Sequence, residues 1–524
     1  LSVSLDRNTF VQSSLTLVSW MLGFLRDVLL AARIGAGPIG DAWATALMFP
    51  NLFRRIFAEG AFASAFVPSY ARTLEAEGPE AAAKIAEETL RVLFVFTAGL
   101  TILAQFAMPW LLLLVHGGQA DDRENFELAI LLTRITMPYL TCMSIAALLS
   151  GVLNSGGRFF LSAAAPTLLN VCLIASAFVS TSPVTTSKAA AIATLIAGVL
   201  QALLLYWGVR RQNVRLNIID WPHMTAGVKK VMALAIPGTI AASGTQINII
   251  VSQSLASFEV GAKTWLYYAD RLYQLPLGLV GVAVGVAILP RLSRAARSSD
   301  RLIGHQTMDE GIGLALALTL PAAVALAVAP GFLIEGFFAR GAFLTSDANN
   351  SGLALFHYAW GVPAFVLIKV LAPAYFAHED TKTPMAFALW SVGINTTLGA
   401  GLFFWLQSNG AYGFPGLAIA TSAAAWVNVV LLLGTLIKKD WYTPGPVLIS
   451  RLVRASIATA VMGVALYFIL QQRELIRDYG FDSKLFTTAI FILVGIGIYA
   501  VAALATGAVR LTDMKSLARR NASG

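Results

Sequence analysis

Apolar residues run through this chain in long blocks with short polar breaks between them. The blocks fall at 9–33, 38–70, 90–115, 127–152, 160–180, 188–209, 231–256, 264–290, 309–338, 352–376, 384–406, 413–437, 448–470 and 485–509. At ~1.5 Å of rise per helical residue most are long enough to cross about 30 Å of hydrocarbon. The pattern predicts an all-α integral membrane protein of about 14 transmembrane helices. The breaks read as turns, for example Gly35-Ala36-Gly37-Pro38 and Ser408-Asn409-Gly410. The block at 38–70 is longer than a straight crossing and contains Pro50, Gly60 and Pro68, which predicts a kinked or broken helix. The first block holds Arg26 and Asp27 and lacks a small-residue cleavage site, so it reads as a retained helix and not a signal peptide.

The pattern repeats. AFVPSYAR, with Pro68 and Arg72, ends the second block, and AILPRLSR, with Pro290 and Arg294, ends the eighth, 222 residues later. Arg158 opens a segment through Pro166 to Asn170, and Lys382 opens one through Pro384 to Asn395, at an offset of 224 to 225. Two landmarks with one spacing predict two six-helix lobes, 1–215 and 216–440, related by a pseudo-twofold axis along the membrane normal. Residues 441–524 add a C-terminal helix pair and a basic tail. That pair carries few polar residues in mid-span and serves either as packing or as a groove for a lipid tail.

Composition agrees: 57% of residues are hydrophobic and only 12% charged, against about 25% in soluble domains. The formal charge of +9 is mostly a topology signal. Loops after even-numbered helices, with the C-terminal tail, hold 22 Lys and Arg, and loops after odd-numbered helices hold 8, Lys263 among them. The positive-inside rule then puts both termini in the cytoplasm. No basic soluble domain is present to bind nucleic acid. Cys142 and Cys172 lie in apolar runs and read as small hydrophobes.

Five cations are not explained by topology: Arg26, Arg54, Arg55, Arg271 and Lys369, all inside apolar blocks. By rise, Arg26 and Lys369 lie roughly 24 Å along their blocks, Arg54 and Arg55 roughly 21–24 Å and Arg271 about 10 Å. Each would cost ~2.5–3.5 kcal/mol at mid-bilayer, so they are expected to face a wet cavity between the lobes. The matching acids are Asp27, Asp41, Glu59 and Asp270. The plain alternative is that each pair only ties helices together. Glu59 follows Arg55 by four residues and suits such a pair, whereas adjacent Asp270 and Arg271 diverge around a helix. Five cations against four acids leave a net positive interior, which selects an anion, and arginine's forked donors suit phosphate or pyrophosphate.

Other signals are weaker. The five histidines, at 116, 223, 305, 357 and 378, show no ligand spacing, so no metal site is expected. There is no phosphate-binding glycine loop, and neither covalent chemistry nor a cofactor is expected. Trp265, Tyr267, Tyr268 and Tyr273 read as an interfacial aromatic belt or, as a sharper alternative, a sugar-stacking mouth.

Several segments together resemble a known family. LGFLRDVLLAARIGAGPIGDAW, FPNLFRRIFAEGAFASAFVP, APTLLN at 165–170, YYADRL at 267–272 and KVLAPAYFA at 369–377 followed by TKTP are similar to the MurJ (MviN) family of lipid II flippases. The resemblance spans essentially the whole chain. It implies a two-lobed exporter of the multidrug/oligosaccharidyl-lipid/polysaccharide superfamily with an added C-terminal pair. It implies a bacterial inner-membrane monomer that carries undecaprenyl-pyrophosphoryl disaccharide-pentapeptide to the periplasmic leaflet by alternating access, driven by membrane potential or an ion gradient. In this reading Arg26, Arg54, Arg55, Arg271 and Lys369 bind substrate, Asp27, Asp41, Glu59 and Asp270 form state-dependent pairs, and the last two helices accommodate the polyprenyl tail. Two positions depart from the family pattern: Trp20 stands where many relatives have a cation, and Gln274 lies close to where relatives can carry an acid. The rivals are a flippase or exporter for another polyprenyl-linked glycan, a drug or ion antiporter, and a non-transporting membrane scaffold. An excess of interior cations argues against a cation-drug exporter, and retention of all five argues against the scaffold.

Overall fold

The computed structural model describes residues 2–57, 61–212, 214, 216, 220–287, 301–472 and 483–508. Among these residues the regular structure is entirely helical. The order is α1 Ser2–Ile34, α2 Pro38–Phe57, α3 Ala61–Ala76, α4 Pro79–His116, α5 Arg123–Thr136, α6 Tyr139–Ser155, α7 Phe159–Ser176, α8 Pro183–Arg210 and α9 Ala226–Ala256. It continues as α10 Ala262–Ala287, α11 Arg301–Val328, α12 Pro330–Phe338, α13 Thr345–Ala359, α14 Val362–Ala377, α15 Lys382–Ser408, α16 Phe414–Lys438, α17 Pro446–Gln471 and α18 Lys484–Ala505. Proline opens many of them, at 79, 183, 330 and 446 among others, where a missing N–H costs nothing. Asp122, Thr225 and Ser483 cap α5, α9 and α18 by accepting the N–H groups of Asn125, Val228 and Phe486.

Among the described residues eleven helical stretches are long and apolar enough to cross a membrane, against the 14 that the sequence pattern counts. The blocks at 38–70, 231–256 and 264–290 are the ones not among them. The α2 stretch carries Asp41, Arg54 and Arg55, and α10 carries Lys263, Asp270 and Arg271. The remaining helices expose large side chains that only lipid would cover, such as Phe96, Phe106 and Trp110 on α4, at 60%, 73% and 70%.

Three blocks expected as single helices are divided. The block at 127–152 breaks at Met137-Pro138, that at 309–338 at Ala329-Pro330, and that at 352–376 at Trp360-Gly361. Proline or glycine within two residues of each break is the physical cause. Within the expected long second helix, α2 and α3 flank residues 58–60, which lie outside the described residues. Two pairs of helix starts keep one spacing: Pro38 and Ala262 are 224 residues apart, and Arg123 and Thr345 are 222 apart. The landmark at Pro290 and Arg294 lies outside the described residues.

The chain forms two compact units. The first holds residues 1–264 and 340–344. Here α1 packs on α7, α6 and α7 on α8, α2 on α5, and α9 on α3 and α4. One core is built around Leu30, Trp43, Met108, Leu112 and Leu132, and a second around Phe66, Leu90, Leu149 and Leu205. The short 340–344 segment docks on the end of α1, with Ala342 N–H donating to Ala32 O at 2.8 Å. Gly341 adopts φ +55°, and a Cβ there would lie 2.2 Å from Ala32 O. Gly341→Ala is therefore expected to cost about 1–3 kcal/mol, read as a lower thermal midpoint of the purified protein. An unchanged midpoint would refute this account of the segment.

The second unit holds residues 265–339 and 345–524. Helices α15 and α16 pair, α11 packs on α14 and α17, and α12 on α13. The last two helices pack on each other and on this unit: α17 on α11, and α18 on α12. Tyr499 donates to Ala317 O at 2.6 Å, and Lys484 pairs with Glu335 at 2.9 Å. The loops are fastened too. Lys439 and Thr383 donate to Asp380 and hold its carboxyl well below the usual carboxylate range, with Lys439 the larger cause.

Candidate functional site

In the first unit Arg26 sits inside the apolar stretch Leu15–Ile34 of α1. Its Nε and Nη2 donate to Asp27 Oδ1 at 2.9 and 2.7 Å, and its Nη1 donates to Asn170 Oδ1 on α7 at 2.9 Å. The Asn170 amide then donates to Ser19 O at 2.9 Å, so one side chain ties two levels of α1 to α7. Neighbours in sequence, Arg26 and Asp27 still meet because the arginine is long enough to curl round the helix. Asp27 is buried at 4% side-chain exposure and Arg26 keeps 14%. This holds a guanidinium in a fixed orientation with part of its surface open. Trp20, on the same helix, is 43% exposed.

Asp41 lies in the first turn of α2 with no exposed surface. Its Oδ2 accepts from Gln119 Nε2 at 2.8 Å and Gly261 N–H at 2.7 Å, and its Oδ1 accepts from Thr264 N–H at 3.0 Å and Thr264 Oγ1 at 2.8 Å. The carboxylate thus satisfies orphan N–H groups at the start of α10, where a helix N-terminus favours an anion. Gly40 makes room, since a Cβ there would lie 2.8 Å from Thr264 Oγ1. Beside it, Lys263 is also fully buried. Its ammonium donates to Val115 O at 2.6 Å, Thr45 Oγ1 at 2.8 Å and His116 Nδ1 at 2.8 Å. Thr45 can accept because its own proton goes to Asp41 O at 2.7 Å. Two buried opposite charges, each with a full set of partners, make a polar node joining α2, the end of α4 and residues 261–264.

In the second unit Asp270 accepts from Gln274, one turn on along α10. Arg271 lies with Cζ 4.7 Å from the Tyr267 ring centre, a cation–π contact. Lys369 is exposed on α14, and because that helix begins at Val362 it lies only ~10 Å along it. The aromatic cluster is neither belt nor sugar platform for three of its four members. Trp265, Tyr268 and Tyr273 are 7%, 3% and 9% exposed. They pack on Phe414, on Phe338 and on Tyr358 with Phe365, and Trp265 Nε1 donates to Asp347 at 3.0 Å. Of the other expected site residues, Arg54 and Arg55 are on α2 with side chains outside what is described, and Glu59 lies outside the described residues.

The family profile described as lipid II flippase MurJ matches residues 30–481. The chain belongs to the lipid II flippase MurJ family. A probable lipid II flippase MurJ of Rhizobium tropici is 38% identical over 514 residues, covering 97% of this chain and 95% of that protein. A lipid II flippase MurJ of Burkholderia cenocepacia is 35% identical over 450 residues, covering 85% and 86%. Among solved structures, a lipid II flippase MurJ in an inward closed conformation superposes with a TM-score of 0.77 at 26% identity, covering 94% of this chain and 98% of the other. An inward-facing multidrug transporter of the MATE family shares the fold, with a TM-score of 0.65 at 16% identity over 82% and 98%. The chain is accordingly a multi-pass membrane transporter rather than an enzyme.

Within this MurJ-family chain the sequence reading missed two members of the node. Lys263 stands among the loop cations because the apolar block begins one residue later, and His116 shows no ligand spacing. The available signal was positional: Asp41 and Lys263 fall in the first turns of α2 and α10, two helices whose starts lie 224 residues apart.

Proposed function

We propose that this protein moves lipid II from the cytoplasmic to the periplasmic leaflet by alternating access, with Arg26, Arg54, Arg55, Arg271 and Lys369 receiving the pyrophosphate in a cationic cavity. The observation that carries the reading is Arg26, fixed inside an apolar helix by Asp27 and Asn170 yet still partly open, in a chain matched to the family over residues 30–481. A membrane arginine costs too much to keep unless it is paired or used. The proposal divides the chain into lobes 1–215 and 216–440 and a C-terminal pair with tail, 441–524. It places both termini in the cytoplasm, as the loop cations predict, and takes the working unit as a monomer energised by membrane potential or an ion gradient. Asp27, Asp41, Glu59 and Asp270 belong to pairs whose strength differs between states, since a ligand shifts an equilibrium only by its differential affinity.

The test is rescue of a bacterial strain depleted of its own lipid II flippase. Growth with well-expressed protein supports lipid II as substrate, and failure moves the assignment to another polyprenyl-linked glycan. A finer expectation concerns Asn170. Removing a hydrogen bond to a charged group is worth about 1.5–3 kcal/mol, so Asn170→Ala is expected to slow lipid II transport in vesicles by roughly 10- to 100-fold, with membrane levels unchanged. Wild-type transport by that variant would show that Asn170 does not orient Arg26 for the substrate.

A further inference from the structure

The Asp41 side of the node has a simple structural role, but the Lys263–His116 contact has a property that role does not need. An ammonium nitrogen can only donate, so His116 Nδ1, 2.8 Å from Lys263 Nζ, must accept, and the ring proton is on Nε2. Nε2 is itself buried with no hydrogen-bond partner among the described residues. One proton lies between Nζ and Nδ1. A second would set two donors face to face, as two cations, at fully buried residues.

We propose that this contact is a proton-sensitive fastener: it closes around a single shared proton, and uptake of a second from the aqueous phase releases residues 261–264 from α2 and α4. Among the described residues the groups around His116 offer a second proton little: Thr45 Oγ1 of α2, 3.3 Å from Nδ1, already accepts from the Lys263 ammonium. From the head of α10 it faces Lys263, with Asp41 of α2 beyond it, already accepting four hydrogen bonds. From α5 it faces the Phe126 ring, stacked at 6.2 Å, while Arg123, Glu124 and Glu127 of that helix are exposed. The turn after α9 supplies Ser257, which holds Gly118 N–H at 3.0 Å, and the half-buried Glu259. On α6 there is no charged residue. The freed stretch is where the chain passes from the first compact unit to the second, after Thr264. In the orientation proposed above, the node lies at the periplasmic face and reads external pH; that clause alone rests on the proposed function, and the fastener does not.

The sign follows from linkage. A second proton on His116 is shut out while Lys263 faces it across 2.8 Å and is admitted once the node opens to water, so closure weakens as the pH falls through the imidazole range. Lowering the pH from about 7.5 to about 5.5 should raise the opening equilibrium roughly tenfold. The experiment is hydrogen exchange by mass spectrometry on the whole protein in lipid nanodiscs at both pH values, with intrinsic exchange rates divided out. The reporters are the Gly261 and Thr264 amides, which donate to Asp41. Wild type should lose protection about tenfold at the lower pH, with α8 unchanged as control. His116→Asn, which keeps an acceptor near Nδ1 but cannot titrate, should lose this dependence, whereas Lys263→Met, which leaves His116 buried, should keep part of it. No loss in wild type, or the same loss in His116→Asn with α8 protection retained, overturns the proposal. Exchange needs no lipid II, so its failure is distinct from failure of the flippase assignment.

Discussion

Alanine at Arg26, Arg55 or Lys369 is expected to abolish growth support in the depleted strain while leaving protein in the membrane. Each guanidinium or ammonium would meet pyrophosphate oxygens in a site shielded from bulk water, where charge-assisted hydrogen bonds are roughly twice as strong as neutral ones. Losing one such partner at about 1.5–3 kcal/mol lowers flux by roughly 10- to 100-fold, enough to starve wall synthesis. Arg26 permits a sharper test, because Arg26→Ala also strands Asp27, a carboxylate at 4% side-chain exposure. An uncompensated buried charge destabilises in its own right. The double variant Arg26→Ala/Asp27→Asn removes that penalty, and should recover membrane levels without recovering growth. Arg26→Lys should fall between, since it keeps the charge but loses the fork that meets Asp27 and Asn170 together. Normal growth with well-inserted Arg26→Ala, Arg55→Ala and Lys369→Ala would sink the cationic reading and leave the family assignment intact.

The helical class and the order of the helices were legible because a bilayer leaves so few ways to satisfy backbone polar groups. Hydropathy alone is blind to where an apolar helix breaks, which is why Pro138, Pro330 and Gly361 divide segments that read as continuous. The interior charges were legible for the same reason that they are costly: Arg26 and Asp27 stand out in an apolar run. Their partners were not, since Asn170 lies 144 residues from Arg26 and only the packing of α1 on α7 brings them together. Aromatic residues misled in the opposite direction. Trp265, Tyr268 and Tyr273 suit a membrane interface by type, yet their helix turns them into the core of the second unit. Lys263 shows the limit most clearly. A lysine one residue outside an apolar block is ordinarily solvated, and its complete burial is decided by α2 and α4, more than 140 residues away.

That burial sets the second large expectation: Lys263→Ala should cost about 3–5 kcal/mol and leave little folded protein in the membrane. The alanine removes a cation that three acceptors were arranged to receive, and it leaves Asp41 buried without the nearby opposite charge. Lys263→Arg should do no better, because a planar fork of five donors cannot fit a fully buried site built for one nitrogen. Lys263→Met, which keeps the stem and drops the charge, should be milder, and pairing it with Asp41→Asn should be milder than the sum of the two single changes. The two side chains share a node, so a coupling of about 0.5–3 kcal/mol is expected between them. Thermal midpoints of the four proteins in one detergent measure it. A strictly additive cycle would mean that Asp41 and Lys263 only cap separate helix ends. A coupled one would make them a single buried unit, in which the carboxylate at the head of α10 and the ammonium beside it each lower the cost of burying the other.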